Sequence, residues 1–231
     1  MSWVTRMKLS ASPRPRKREL PYRPFSFPIV SARRLPTPEV LDTRLTEALE
    51  MRRSNRTFRR PLNDRHLSFL LWHICRKISS EREASGFVWE HRAVPSAGGR
   101  HPIHSVIVQP MGQRHAVSLY VPEDHKLAAL HIPDPPVRQL LTVCNQIMDV
   151  RRATIIWFVA EIRRTDSKYV NAESLIWRDA GAILAYLNLM ACVAKMTFCA
   201  LGPTGEPFVS QMLQSSEMIS GVGGCAVGFD R

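Results

Sequence analysis

The sequence lacks the cysteine pairs of a metal knuckle, a membrane-length apolar run, an apolar leader and a nucleotide-binding glycine fingerprint. Each absence removes a class of protein. Its five cysteines, Cys75, Cys144, Cys192, Cys199 and Cys225, are odd in number and never fall as Cys-x-x-Cys. That argues against a disulfide framework and a structural zinc site, and fits a reducing cytoplasm. The longest apolar stretch is interrupted by Asn188, so no membrane span or membrane partner is expected. No apolar stretch follows the first basic residues, so secretion is not expected either. There is no G-x-G-x-x-G run, hence no sign of a Rossmann domain.

What is present is a chain of 231 residues, 45% hydrophobic and 23% charged, enough to bury a core without covalent staples. Its net charge of +12 is uneven. Residues 1–40 hold nine Lys and Arg against Glu19 and Glu39, and seven of the 17 prolines. Such a stretch has too little apolar surface to fold alone. Residues 1–38 therefore read as a basic, proline-rich arm and residues 39–231 as the folded domain. The aromatics of Pro21–Pro28 suit docking of the arm over the body, over a dimer mate or over a partner protein. A basic arm also attracts acidic partners, although nucleic acid is not the expected one.

Apolar spacing predicts a helix over Glu39–Arg53, entered at Pro38, and a second from Asn63 or Asp64 to Ser79. Strands at His104–Gln109 and Val117–Val121 flank Met111-Gly112 as a hairpin. Residues 122–135 read as a loop, followed by a helix from Pro136 to Asp149. Ala153–Ala160 is wholly apolar and rich in β-branched and aromatic residues, as expected of a strand buried on both faces. The longest helix is expected over Ala172–Ala194, with Ala180, Gly181, Ala182 and Ala185 permitting close packing. A short strand, a helix near Glu206–Ile219 and a strand at Gly224–Phe229 complete an α+β pattern.

Four short motifs carry chemistry. Arg52-Arg53-Ser54-Asn55-Arg56 sets three guanidiniums and a hydroxyl within five residues, which suits a phosphate monoester and equally a solvated basic helix end. Pro95-Ser96-Ala97-Gly98-Gly99 is a loop of small residues that lets backbone approach a flat ligand, or an ordinary turn. It is no P-loop, since no Lys-Ser/Thr follows. Arg100, His101 and His104 have no acidic or cysteine neighbour in sequence, so no metal is expected. Lys168-Tyr169 stands before the long helix, and Cys199-Ala200-Leu201-Gly202 after it. Arg178-Asp179 reads as a structural ion pair, of a kind that contributes little.

In this order and spacing the motifs resemble the flavin-dependent nitroreductase superfamily, and within it the SagB-type dehydrogenases that oxidise azoline rings in modified peptides. The resemblance covers roughly residues 39–228. It implies a nitroreductase-like α+β fold, with a central mixed sheet flanked by helices, in an intertwined homodimer whose FMN sites are shared between chains. It assigns Arg52, Arg53, Ser54 and Arg56 to the flavin phosphate and ribityl chain. Pro95, Ser96, Ala97 and Gly98 go to the isoalloxazine ring, and Leu201 and Gly202 to the strand end beside flavin N5. Lys168 and Tyr169 are the implied catalytic pair. Removing a C–H proton while a hydride departs needs such a base, either a lysine made neutral by burial or a phenolate favoured by a neighbouring ammonium. Two departures stand out. Lys195-Met196-Thr197 replaces a Gly-Leu-Gly helix end, and the sequence stops at Arg231 soon after the final strand. Many relatives continue there and place a further basic residue on the phosphate, a role for which Arg231 is the candidate here. The resemblance leaves open a nitro or quinone reductase fed by NAD(P)H, and a flavin-free scaffold acting through the arm.

Overall fold

The strand Thr154–Glu161 is buried along its whole length, and the rest of the chain is arranged about it. The computed structural model describes residues 12–83, 86–215 and 217–231. Its elements are β1 (Arg14–Pro15), β2 (Ile29–Arg34), α1 (Leu45–Met51), α2 (Asp64–Cys75), β3 (Ser79–Arg82), β4 (Val88–His91), β5 (Ile103–Met111), β6 (Arg114–Val121) and β7 (Lys126–Leu130). They continue with α3 (Asp134–Ile147), β8 (Thr154–Glu161), α4 (Ile162–Asp166), β9 (Tyr169–Val170), α5 (Glu173–Val193), β10 (Thr197–Leu201), α6 (Phe208–Met212) and β11 (Ile219–Gly228).

Seven strands form the central sheet in the order β10-β11-β8-β5-β6-β7-β2. Successive residues of β8 face opposite sides, as strand geometry requires. Ile156, Phe158 and Ala160 join a core made with α2 and α5, whereas Ile155, Trp157 and Val159 join one made with α3 and α6. The result is three layers, with the sheet in the middle. The α+β expectation holds, but the sheet expected to be mixed is antiparallel at every pairing. Hairpins join β5 to β6 and β6 to β7, while the long connections through α3 and α5 lead to strands that are not neighbours of the ones they leave.

The hairpin at Met111-Gly112 and the helices α2, α3 and α5 lie within a few residues of the ranges the sequence suggests. Asn63 begins α2 with a reciprocal cap, its side chain accepting from His66 N and its own N–H donating to His66 Nδ1. Other ranges need correcting. The stretch 122–135 contains β7, and residues 29–34 of the arm form β2 at the sheet edge beside it. β2 is exposed at every residue, so no alternation marks it in the sequence. The helix of 39–53 shrinks to α1, because only Ala48 of its apolar residues is buried and short helices depend on packing. The helix near 206–219 shrinks to α6, and the last strand begins five residues early, at Ile219.

The unusual end of α5 has its own cap. Lys195 takes the left-handed conformation at φ +54°, and Met196 N donates to Ala191 O at 2.8 Å. By length and apolar composition α5 could cross a membrane. It packs instead along α1, α2, β10 and β11.

Candidate functional site

The loop expected to face a flat ligand is held by a residue that the sequence left as a structural ion pair. Ser96 Oγ donates to Asp179 Oδ2 at 2.5 Å, and Ala97 N donates to Asp179 Oδ1 at 3.2 Å. His101 N in turn donates to Ser96 Oγ at 2.8 Å. Arg178 makes no hydrogen bond to this clamp, and bonds Ser174 one turn back. Burial raises the Asp179 carboxyl above its ordinary range, against the hydrogen bonds from Ser96 and Ala97. Between these anchors Gly98 and Gly99 take φ values of +60° and +62°, which glycine alone adopts without strain.

Lys168 and Tyr169 meet this loop. A side chain at Gly98 would place its Cβ 2.6 Å from Tyr169 Oη and 3.3 Å from Lys168 Cδ. Two motifs that the sequence singles out, Lys168-Tyr169 and the Pro95–Gly98 loop, thus come together from positions about 70 residues apart. Around them lies a charged cluster that local sequence does not reveal. Lys168 Nζ is 3.8 Å from Glu19 Oε1 and 3.6 Å from Glu83 Oε1. The fully buried Arg100 approaches the same two carboxylates, at 2.5 Å and 3.7 Å, with its guanidinium 3.7 Å above the Phe87 ring. Beneath the cluster, Arg164 Nε donates to Arg100 O, and Arg92 and Arg164 both pair with Glu90. Burial opposes ionisation of Glu90, yet the two arginines outweigh it and lower its carboxyl below the ordinary range. His101 sits on the Glu90 carbonyl, and burial holds its imidazole down to about 4, with Arg92 acting in the same direction.

Arg52–Arg56 lies elsewhere. Asn55 pins it beside β10, donating from its backbone to Phe198 O at 2.9 Å and from its side chain to Asp230 Oδ2 at 3.2 Å. Arg53 folds back on the carbonyls of Glu50 and Arg52. Among the described residues no side chain pairs with those of Arg52, Ser54 or Arg56, which leaves two cations and a hydroxyl for an anion. Leu201 is buried at the end of the same edge strand, and Gly202 beyond it is open, with nothing within 4 Å of where a Cβ would stand. These features fit a phosphorylated flat ligand: unpaired guanidiniums at one point and backbone stripped of side chains at others.

One chain does not bring the two groups together. Asp179 holds the Pro95–Gly98 loop near the start of α5, whereas Arg52 follows α1, whose Ala48 carbonyl accepts from Cys192 at the end of α5. From Asp179 to Val193 the helix rises about 21 Å at 1.5 Å per residue. Arg231, the candidate for a further phosphate contact, is exposed beside Asp230 and pairs with no side chain among the described residues.

No protein-family model and no curated protein matches the sequence. Solved structures do match. A candidate nitroreductase from Ralstonia eutropha superposes with a TM-score of 0.63 at 20% identity, over 96% of this chain and 99% of that one. A chain of the E. coli microcin synthetase McbBCD complex, with truncated pro-MccB17 bound, gives 0.56 at 14% identity, over 98% and 85%. A candidate nitroreductase from Desulfovibrio desulfuricans in complex with FMN gives 0.50 at 17% identity, over 81% and 86%. At these identities the likeness is one of fold, and the chain has a nitroreductase-like fold.

Proposed function

We propose that this chain is an FMN-dependent oxidoreductase of the nitroreductase type, and specifically a SagB-type dehydrogenase acting on an azoline or similar peptide-derived bond. The observation that carries this reading is the meeting of Tyr169 Oη and Lys168 with Gly98 of the ring-facing loop. Bound FMN would supply a two-electron acceptor there. The chain's own contribution is to hold that group and to take a proton from carbon. Pro95, Ser96, Ala97 and Gly98 would offer backbone to the ring, fixed by Asp179, and Arg52, Ser54 and Arg56 would grip the phosphate, with Arg53, Leu201 and Gly202 alongside. Tyr169 and Lys168 would remove the proton. That the solved structures it resembles include an FMN complex and a chain of a microcin synthetase supports both levels of the reading.

We also propose a homodimer in which each site is built from two chains. The 21 Å helix between the two groups supports it, because a two-fold axis across α5 can set the start of one copy near the end of the other. The exposed Leu41, Leu45 and Leu49 around α1 offer a face for that contact. The five free cysteines suit a cytoplasmic location.

The deciding experiment uses Lys168→Ala and Tyr169→Phe. Both should retain bound FMN yet lose substrate-dependent flavin bleaching by a factor on the order of 10²–10⁴, the usual effect of losing a general base. A nitro or quinone reductase drawing its hydride from NAD(P)H needs no base, so full turnover by both variants would replace the dehydrogenase reading with that one. Colourless protein that takes up no added FMN would favour the flavin-free scaffold.

A further inference from the structure

The first described residues of the chain run along the Lys168–Tyr169 edge. Arg14 and Pro15 pair with Val170 and Tyr169 as an antiparallel ladder. Arg16 N then donates to Lys168 O at 2.8 Å, and Leu20 N to Ser167 O at 2.9 Å. Arg16 also reaches Asp166 through its side chain. Within this run Glu19 sets its carboxylate between Arg100 and Lys168. Arg100 has no exposed surface, and its Nε and NH1 have no hydrogen-bond partner among the described residues. A buried guanidinium with two open donors can bind a carboxylate better placed than that of Glu19. It lines a cavity bounded by Arg18, Tyr22, Phe87 and Arg164.

We propose that the β9 edge together with Arg100 is a binding site for an extended peptide bearing an acidic side chain, and that residues 14–19 occupy it in cis. The proposal rests on the reading of Lys168–Tyr169 as the reactive edge, and names the substrate class for it. Pairing through the main chain is indifferent to side chains, so an incoming strand can make the same bonds with β9. The occupant's ladder is two residues long and its ion pair to Asp166 is partly solvated, so Glu19 on Arg100 is its main hold. Its anchor lies further along. Phe25 and Phe27 pack on the core beneath the sheet, and Phe25 N donates to the buried Glu161. Pro21 and Pro24 lie between anchor and occupant, so residues 12–20 can leave while β2 stays in the sheet. An acidic side chain of the incoming peptide takes the seat of Glu19, which sets this site apart from one built for a neutral nitroaromatic.

The test is binding of a labelled synthetic peptide of residues 12–22 to the full chain, followed by fluorescence anisotropy. In the native chain the tethered segment competes at a high effective concentration. Glu19→Gln weakens the occupant, so this variant should bind the peptide at least tenfold more tightly than the native chain does. The same peptide carrying Glu19→Gln, and a scrambled peptide of equal charge, should lose that gain. Arg16→Ala loosens the occupant without touching the buried cation, and should act in the same direction should Glu19→Gln fail to fold. Equal affinity of native and loosened chains, no binding to either, or equal binding of the scrambled peptide overturns the proposal. Flavin content of the same preparations reports separately on the cofactor reading, so the two can fail independently.

Discussion

Gly98 shows what one residue decides at this site. Its φ of +60° and the 2.6 Å between a notional Cβ and Tyr169 Oη leave no room for a side chain. Gly98→Ala should cost about 1–2 kcal/mol of stability from backbone strain alone, whereas Gly202→Ala, in open space, should be near neutral; thermal unfolding of the pair checks both. Arg52→Ala removes one of the unpaired guanidiniums, and on the proposed reading should weaken FMN by about 1.5–3 kcal/mol, measurable by titration of flavin fluorescence. His101 contributes to acid sensitivity. Burial depresses its imidazole to about 4 from 6.5. Between those values the unfolded chain binds the proton and the folded chain does not, so stability is full above pH 6.5 and falls as pH drops toward 4. The loss is on the order of 3 kcal/mol. Asp179 acts with opposite sign, since its raised carboxyl takes up a proton more readily in the folded state. His101→Asn, which tolerates the positive φ of 45° there, should flatten the dependence in urea unfolding between pH 7 and pH 5.

At the scale of elements, α5 links most of what matters. Its first turns carry Asp179 to the Pro95–Gly98 loop, and its last turn meets α1, after which the Arg52–Arg56 segment follows. The turn that ends it is strained. Lys195 in the left-handed region costs roughly 1–2 kcal/mol, while glycine would lose about 0.5–1 kcal/mol through unfolded-state entropy. Lys195→Gly should therefore stabilise the chain by up to about 1.5 kcal/mol, seen as a raised melting temperature. Between its ends α5 exposes Gly181, Ala185 and Tyr186. If a second copy covers this face, a charge at Ala185 should abolish the dimer and the bound flavin together, as light scattering and absorbance would record. A native monomer that keeps its FMN would contradict the shared site.

Over the whole molecule, local pattern determined the parts whose burial repeats along the chain. β8 is apolar at nearly every residue because both its faces are covered, and α2, α3 and α5 carry apolar residues at helical spacing because one side of each meets the sheet. The motif residues were legible too, since a run such as Arg52–Arg56 or Pro95–Gly98 is chemically unusual within five residues. Tertiary structure decided whatever depends on a distant neighbour. β2 and β7 are strands because each has a partner edge, and nothing in the side chains of Ile29–Arg34 announces that edge. Asp179 was legible only as half of an ion pair, yet it clamps a loop more than 80 residues away. Glu19, Glu83 and Arg100 became a cluster around Lys168 only through folding. The direction of every strand pairing, and the separation of the candidate site into two groups along α5, likewise follow from how elements stack. Short-range sequence encodes which face of an element is apolar, and long-range packing encodes which charges meet.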